Sequence, residues 1–262
     1  MLIDSHCHLD FPELAGDEAG VLARARGADV GGMLTIGTRL DQFARVRAIA
    51  ERHANIWCSV GVHPHEAKDE GQRTPERLVE AASHPKVVGI GETGLDFYYE
   101  HSPRAEQVES FRAHIAAARQ TGLPLIVHTR DADAETAEIL EEEQARGAFP
   151  GLIHCFSSGP DVARRALALG MYISISGIVT FKAAEDLRTI VRDIPLERLL
   201  VETDAPYLAP VPKRGETNEP AFMAHTAAKV AELKGVDVAQ LASATTDNFF
   251  RLFTKAERSK CG

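Results

Sequence analysis

The chain repeats one unit eight times, in which a short apolar segment precedes a polar or amphipathic stretch. The apolar segments are Leu2–Ser5, Gly32–Ile36, Ile56–Val60, Val87–Gly91, Leu125–His128, Gly151–His154, Tyr172–Ser176 and Leu199–Glu202. They are too continuously apolar to have a solvent-facing side, which is typical of parallel strands covered by helices. Eight such units predict an α/β fold closed into a (β/α)8 TIM-like barrel, with an open doubly wound sheet as the alternative.

The stretches between the apolar segments repeat apolar residues at three- and four-residue spacing, the period of an α-helix. The clearest are Leu40–Glu51, Arg104–Gln120, Ala134–Gln144, Asp161–Leu169 and Ala184–Val191. The segment Pro220–Phe253 predicts two further helices packed on the barrel. No linker or low-complexity stretch interrupts this pattern, so we expect a single domain over residues 1–262. No GxGxxG sequence follows the first strand and there is no Walker motif, which argues against nucleotide-cofactor folds.

Composition excludes several classes of protein. A net charge of −9 argues against a protein that coats nucleic acid by bulk electrostatics, although a local basic pocket stays possible. No apolar run approaches the roughly 18 residues of a membrane span, and no signal peptide is recognisable. Four cysteines without CxxC spacing predict free thiols in a reducing compartment, and hence a cytoplasmic protein. No helical stripe or exposed apolar stretch indicates an obligate oligomer, so we expect a monomer.

The first strand ends in a pair of potential metal ligands, His6 and His8, within Asp4-Ser-His-Cys-His8. Alternate side chains of an extended strand point to one face, so the two imidazoles emerge side by side and can bind one divalent metal ion. Asp4 has the same parity and can lie behind them. A His-x-His pair alone is weak evidence, and its meaning depends on the rest of the chain.

Four more potential ligands lie at the ends of other predicted strands. They are Glu92 in Gly91-Glu-Thr-Gly-Leu-Asp96, His128 in Pro124-Leu-Ile-Val-His-Thr-Arg130, His154 in Leu152-Ile-His-Cys-Phe156, and Asp204 in Val201-Glu-Thr-Asp-Ala-Pro-Tyr207. The carboxyl ends of parallel strands form one rim of a barrel, where the active sites of this fold lie. We therefore expect these four residues beside His6 and His8.

Six ligands exceed the three or so protein ligands of one catalytic zinc ion. They suit two divalent ions about 3.5–4 Å apart, bridged by a carboxylate. Glu92 is the expected bridge. The first ion would be held by His6, His8 and Asp204, and the second by His128 and His154. Such a donor set admits Zn²⁺, Mn²⁺, iron or cobalt, and Mg²⁺ at carboxylate-rich positions.

These motifs, together with Gly61-Val-His-Pro-His65, Asn218-Glu-Pro220 and Thr246-Asp-Asn-Phe249, resemble those of the TatD-type metal-dependent hydrolases of the amidohydrolase-like superfamily. The resemblance spans nearly the whole chain. It implies a TIM-like barrel and a divalent-metal DNase or phosphodiesterase, commonly a 3′-to-5′ exonuclease. Other branches of that superfamily carry a carboxylated lysine at the bridging position, and Glu92 at this position resembles the TatD branch.

The expected reaction is hydrolysis by a water molecule activated by two metal ions, with Glu92 and Asp204 as the catalytic carboxylates. Asp204 would orient and deprotonate the water. Rim residues predicted to bind substrate are His63, Arg130, Lys182 and Arg214, the last beside Lys213. The aromatic run Phe97-Tyr98-Tyr99 would either stack on bases or pack within the protein.

The favoured substrate is nucleic acid, above all single-stranded DNA. An ester or amide hydrolase, such as an aminoacyl-tRNA deacylase, keeps the same site and is the main alternative. A nucleic-acid-binding protein with a vestigial site is a third. Glu202 is expected to orient a ligand or to be a core acid. The histidines without partner spacing, predicted to lie at the surface, are His53, His84, His101, His114 and His225.

Overall fold

The computed structural model describes residues 1–69 and 74–261, and within them eight parallel strands pair in chain order. The strands are β1 Leu2–Cys7, β2 Val30–Thr35, β3 Ile56–Val60, β4 Val87–Asp96, β5 Leu125–Arg130, β6 Gly151–Ile153, β7 Tyr172–Ile175 and β8 Leu199–Val201. The segment after β8 returns to β1, where the Asp204 amide donates to the His6 carbonyl at 2.9 Å and the His8 amide donates to the Ala205 carbonyl at 2.8 Å. The predicted (β/α)8 barrel is confirmed.

Helices cover the outside of the sheet. They are α1 Pro12–Ala15, α2 Glu18–Gly27, α3 Phe43–Arg52, α4 Pro75–Ala82, α5 Arg104–Thr121, α6 Asp133–Arg146, α7 Pro160–Ala168, α8 Glu185–Asp193, α9 Met223–Lys234 and α10 Val238–Leu252. Each helix predicted from apolar spacing is present, and the ends differ by at most three residues. In the described part of the chain, no helix has both the length and the apolar character needed to cross a bilayer.

One buried layer of the barrel contains a side chain from every strand. These are Ile3, Leu34, Trp57, Val88, Ile126, Leu152, Tyr172 and Leu200, and they form one cluster with the end of α10. Side chains from all eight strands can meet in this way only around the barrel axis. Phe249 and Phe253 are fully buried against this layer, so the C-terminal helix closes the end of the barrel opposite the functional rim.

His114 is a correction to the sequence-based prediction, because it is fully buried rather than at the surface. Its Nδ1 donates to the Ser110 carbonyl at 2.7 Å, and its Nε2 accepts from the Val62 amide at 2.9 Å. Phe111, Ile115 and Ala118 are buried on the same helix, α5. They lie three residues before, one after and four after His114, which puts His114 on the apolar face of the helix. That spacing was the sequence feature from which its burial could have been predicted. The other four histidines are half-buried or exposed: His53, His84, His101 and His225.

Candidate metal centre

Five strands bring the six predicted ligands together at one rim of the barrel. His6 lies in β1 and His8 directly after it, Glu92 lies in β4, His128 in β5, His154 directly after β6, and Asp204 three residues beyond β8. Strand β4 is five residues longer than predicted because Thr93–Asp96 pairs in register with Val127–Arg130 of β5. This pairing holds Glu92 within the sheet.

Gly94 permits the close approach of β4 and β5 beside the ligands. Its φ of +135° lies in a region that favours glycine, and a Cβ atom there would be 2.0 Å from the His128 carbonyl oxygen. Only glycine fits this position, so the backbone of His128 is held against β4.

The Glu92 carboxylate lies at the centre of the site, with its two oxygens facing different groups of imidazoles. Oε2 is 3.3 Å from His6 Nε2 and 3.9 Å from His8 Nε2. Oε1 is 2.7 Å from His154 Nε2 and 3.1 Å from His128 Nδ1. His63 Nε2 is also 3.4 Å from Oε1. Each oxygen of the Glu92 carboxylate therefore faces a separate group of imidazoles.

Asp204 joins the group on the Oε2 side. Its Oδ1 is 3.6 Å from His6 Nε2 and 3.5 Å from His8 Nε2. The positive φ of Asp204, 56°, turns the chain after β8 back toward β1. His6, His8, Asp204 and one Glu92 oxygen therefore surround one point. His128, His154, His63 and the other Glu92 oxygen surround a second.

The residues fit divalent metal ions for two reasons: their ligand atoms lie close together, and some of their buried nitrogens have no hydrogen-bond partner among the described residues. The ligand atoms of His6, His8 and Glu92 lie within 4.8 Å of one another, as do those of His63, Glu92 and His128. A third such group is His6, His154 and Glu202. Both ring nitrogens of His6 are buried and have no hydrogen-bond partner among the described residues. Buried polar atoms are normally paired, so a metal ion that accepts the lone pair of the unprotonated imidazole nitrogen is indicated.

Carboxylates behind the imidazoles set their orientation. Asp96 Oδ2 is 3.2 Å from His128 Nε2 and 2.9 Å from His65 Nε2. Glu202 Oε1 is 3.3 Å from His154 Nδ1 and accepts from the Cys155 amide at 2.6 Å. A carboxylate on one ring nitrogen fixes the proton there and leaves the other nitrogen free to bind a metal.

Asp4 contacts backbone and a hydroxyl group rather than imidazoles. Its Oδ1 accepts from the His6 and Thr203 amides, and its Oδ2 accepts from the Thr203 hydroxyl at 2.6 Å. Burial raises the pKa of Asp4 to about 7, although the Thr203 hydrogen bonds oppose that shift. Asp4 thus ties the end of β1 to the segment that carries Asp204.

Protonation in the site follows from burial and neighbouring charge. Burial alone would raise the pKa of Glu92, but the imidazoles of His154, His63 and His6 outweigh it and hold that pKa well below its usual range. Burial lowers the pKa of His63 to about 4, against the opposing effect of Glu92. Burial also lowers the pKa of His6, and the nearby His154 adds to that shift. Glu92 is therefore ionised, and His6 and His63 are neutral, at neutral pH.

A cavity of about 750 Å³ opens over the centre. It is lined by ligands from both groups and, among the predicted substrate-binding residues, by His63 and Arg130. Lys182 and Arg214 do not line it. Lys182 is exposed and the Arg214 guanidinium lies 4.0 Å from the Phe181 ring while donating to the Ala209 carbonyl. Both follow strands, but a position after a strand does not by itself bring a side chain to the cavity.

Several residues of the site carried no assigned role in the sequence-based prediction. Asp96 and His65 lie inside quoted motifs, four residues after Glu92 and two after His63, and this position near the same strand ends was the available signal. Tyr207 and Phe11 line the opposite side of the cavity, with the Phe11 ring stacked on His8 at 4.6 Å between centroids. His101 also lines the cavity, although it was predicted only as a surface residue.

A (β/α)8 barrel that gathers histidines and carboxylates at the carboxyl ends of its strands is the architecture of a metal-dependent hydrolase. The sequence matches the family model described as TatD related DNase over residues 3–254. The chain belongs to the TatD family.

Individual relatives agree with this assignment. The chain is 48% identical over 255 residues to the uncharacterized metal-dependent hydrolase YcfH of Escherichia coli strain K12, covering 96% of this chain and 95% of that one. It is 38% identical to the 3′-5′ ssDNA/RNA exonuclease TatD of Enterobacter lignolyticus, covering 96% and 98%. The crystal structure of YJJV, a TatD homologue from Escherichia coli K12, has a TM-score of 0.90 at 32% identity, covering 97% and 98%.

Proposed function

We propose that this TatD-family hydrolase is a phosphodiesterase that uses two divalent metal ions to cleave single-stranded nucleic acid, with DNA as the leading substrate and 3′-to-5′ exonucleolytic cleavage as its mode. One observation carries the proposal: the two oxygens of Glu92 face two separate groups of imidazoles, at 3.3 Å from His6 and 2.7 Å from His154. Related proteins named as ssDNA/RNA exonucleases support the choice of substrate.

Each residue of the centre has a definite part in this proposal. His6, His8 and Asp204 would hold one ion, His128 and His154 the other, and Glu92 both. Bound ions would lower the pKa of water and neutralise charge that develops on phosphoryl oxygens. Zn²⁺, Mn²⁺ and Mg²⁺ are the candidates. His63 lies beside the second group and lines the cavity, which supports our assignment of a substrate contact to it.

Asp204 is the proposed proton acceptor. Burial would raise its pKa, but hydrogen bonding with His8 and attraction to the protonated forms of His6 and His154 outweigh burial and lower it. The carboxylate is therefore ionised at neutral pH. It lines the cavity, so it can orient a water molecule and accept its proton.

The test uses purified protein stripped of metal and reloaded with one metal at a time. Each form is assayed on labelled single-stranded DNA, double-stranded DNA, RNA and an aminoacyl-tRNA. Glu92→Gln and Asp204→Asn are measured beside Glu216→Gln, a matched control in which an exposed carboxylate is removed. Bound metal is counted for every variant.

We expect single-stranded DNA cleavage that requires metal, is abolished in Glu92→Gln and Asp204→Asn, and is retained in Glu216→Gln. Ester hydrolysis of aminoacyl-tRNA without cleavage of any nucleic acid would overturn the proposal in favour of a deacylase. Binding of only one metal ion by the active wild-type protein would overturn the two-metal part.

A further inference from the structure

An aromatic and cationic cluster lies on the rim beside the metal centre, formed by Tyr98, Tyr99, His101 and Arg130 (the rim cluster). The Arg130 guanidinium lies 4.2 Å from the Tyr98 ring centroid and 4.8 Å from that of Tyr99. The two tyrosine rings meet edge to face at 4.8 Å, and Tyr99 is stacked parallel to His101 at 5.4 Å. Cation–π contacts of this kind hold a guanidinium in place without using its N–H donors.

Arg130 keeps its hydrogen-bond donors available. Its guanidinium makes no hydrogen bond or ion pair with any residue in 1–69 or 74–261, whereas most of the described arginines pair their guanidinium with a carboxylate or a carbonyl. It is also the only lysine or arginine among the described residues that line the cavity. A guanidinium fork held in this way at the mouth of a cavity suits a phosphate group, which it can contact through two N–H donors.

The tyrosines remain exposed although both are large aromatic residues. Tyr98 is 57% exposed and Tyr99 49% exposed, and Tyr99 lines the cavity together with His101. Packing within the protein therefore leaves about half of each tyrosine uncovered. Aromatic rings beside a cationic group are the usual platform for unpaired bases.

The backbone of the rim cluster is fixed relative to the metal centre. Asp96 Oδ1 accepts from the Tyr98 and Tyr99 amides at 3.1 and 2.9 Å, while its Oδ2 contacts His128. The Arg130 carbonyl accepts from the Phe97 amide at 2.9 Å. Asp96 thus connects the backbone of the two tyrosines directly to the predicted ligand His128.

We infer that the rim cluster is a nucleotide subsite adjoining the scissile bond, in which Arg130 holds a flanking phosphate and Tyr99 stacks on an unpaired base. The inference rests on the proposed function and deepens it. A base within a duplex has no free face for stacking, so this subsite selects single strands.

Three substrates separate the parts of the subsite: a single-stranded oligodeoxynucleotide, the same strand with abasic sites in place of its bases, and bis(p-nitrophenyl) phosphate. The variants are Tyr99→Leu, Tyr99→Phe and Arg130→Met in the metal-loaded protein. Arg104→Met is the matched control, because that guanidinium also lies on an aromatic ring, 4.1 Å from Phe97, but does not line the cavity.

Tyr99→Leu should raise KM for the intact strand about 5- to 150-fold, the range equivalent to one lost stacked base, and leave KM for the abasic strand unchanged. Tyr99→Phe should behave as wild type. Arg130→Met should raise KM for both strands by a larger factor than for the small diester, and the control Arg104→Met should leave hydrolysis of all three substrates unchanged.

Equal effects of Tyr99→Leu on the intact and abasic strands would overturn base stacking. A loss of small-diester hydrolysis in Arg130→Met as large as the loss on the two strands would show that Arg130 acts at the metal centre, which would overturn the phosphate subsite. If wild-type protein hydrolyses the small diester but neither strand, the proposed nuclease function fails and the subsite fails with it. A normal melting temperature in each variant establishes that the comparison concerns folded protein.

Discussion

Replacing Asp96 with asparagine should weaken metal binding at the His128 side of the centre. Asp96 Oδ2 lies 3.2 Å from His128 Nε2, and the opposite ring nitrogen, Nδ1, faces Glu92 at 3.1 Å. Burial would raise the pKa of Asp96, but hydrogen bonds with His128 and His65 outweigh it and hold that pKa well below its usual range. The carboxylate therefore keeps the His128 proton on Nε2 and the lone pair on Nδ1.

Asparagine has nearly the same shape but carries one acceptor oxygen instead of two. If that oxygen serves the Tyr98 and Tyr99 amides, the NH2 group faces His128 Nε2 and favours the tautomer protonated on Nδ1. The opposite orientation leaves two backbone donors without an acceptor, at a cost of about 1–3 kcal/mol each. The first orientation is therefore favoured. Loss of such an orienting contact lowers metal affinity about 10- to 100-fold, or roughly 1.4–2.7 kcal/mol.

The assay is titration of metal-free protein against a chromophoric chelator, which resolves strong and weak sites. Asp96→Asn should weaken one site and leave the other within about twofold of wild type. Asp161→Asn, in which an exposed helical carboxylate is changed, is the control and should not differ from wild type. Unchanged affinity at both sites of Asp96→Asn would refute the tautomer argument, and equal weakening of both would assign Asp96 a general structural role.

Three further changes test the framework of the barrel. Gly94→Ala should destabilise the protein by about 2–6 kcal/mol in chemical denaturation, because of backbone strain and a clash with the His128 carbonyl, whereas Gly27→Ala, with open space around it, should not. Phe253→Ala should lower the free energy of unfolding by about 3–5 kcal/mol, since the ring is fully buried in the barrel layer. Glu143→Gln should lower it by about 1.5–3 kcal/mol at pH 7, because three guanidinium groups contact that carboxylate. Burial would raise the pKa of Glu143, but the three arginines outweigh it and lower that pKa below the unfolded value of 4.5. The difference in unfolding free energy between wild type and Glu143→Gln should therefore shrink as the pH falls below 4.5. A difference that does not change with pH would contradict the ion-pair explanation.

The fold followed from local features of the sequence. Continuously apolar segments of four or five residues, separated by helical spacing, specify buried parallel strands, and eight of them agree with the observed barrel. Strand β4 was the largest difference, because its last five residues are not continuously apolar. Their pairing with β5 depends on the neighbouring strand and on Gly94, which sequence periodicity alone does not show.

The sequence by itself determined which strand ends carry the histidines and carboxylates, because a parallel barrel places the ends of its strands on one rim. Tertiary structure decided what surrounds each group. It brought His63 within 3.4 Å of Glu92, and it left Lys182 and Arg214 outside the lining of the cavity. Strand ends are fixed by regular hydrogen bonding, whereas the direction of a side chain in a loop depends on contacts with residues distant in sequence. For that reason the candidate metal ligands could be listed from the sequence, whereas contacts such as that of Asp96 with His128 could not.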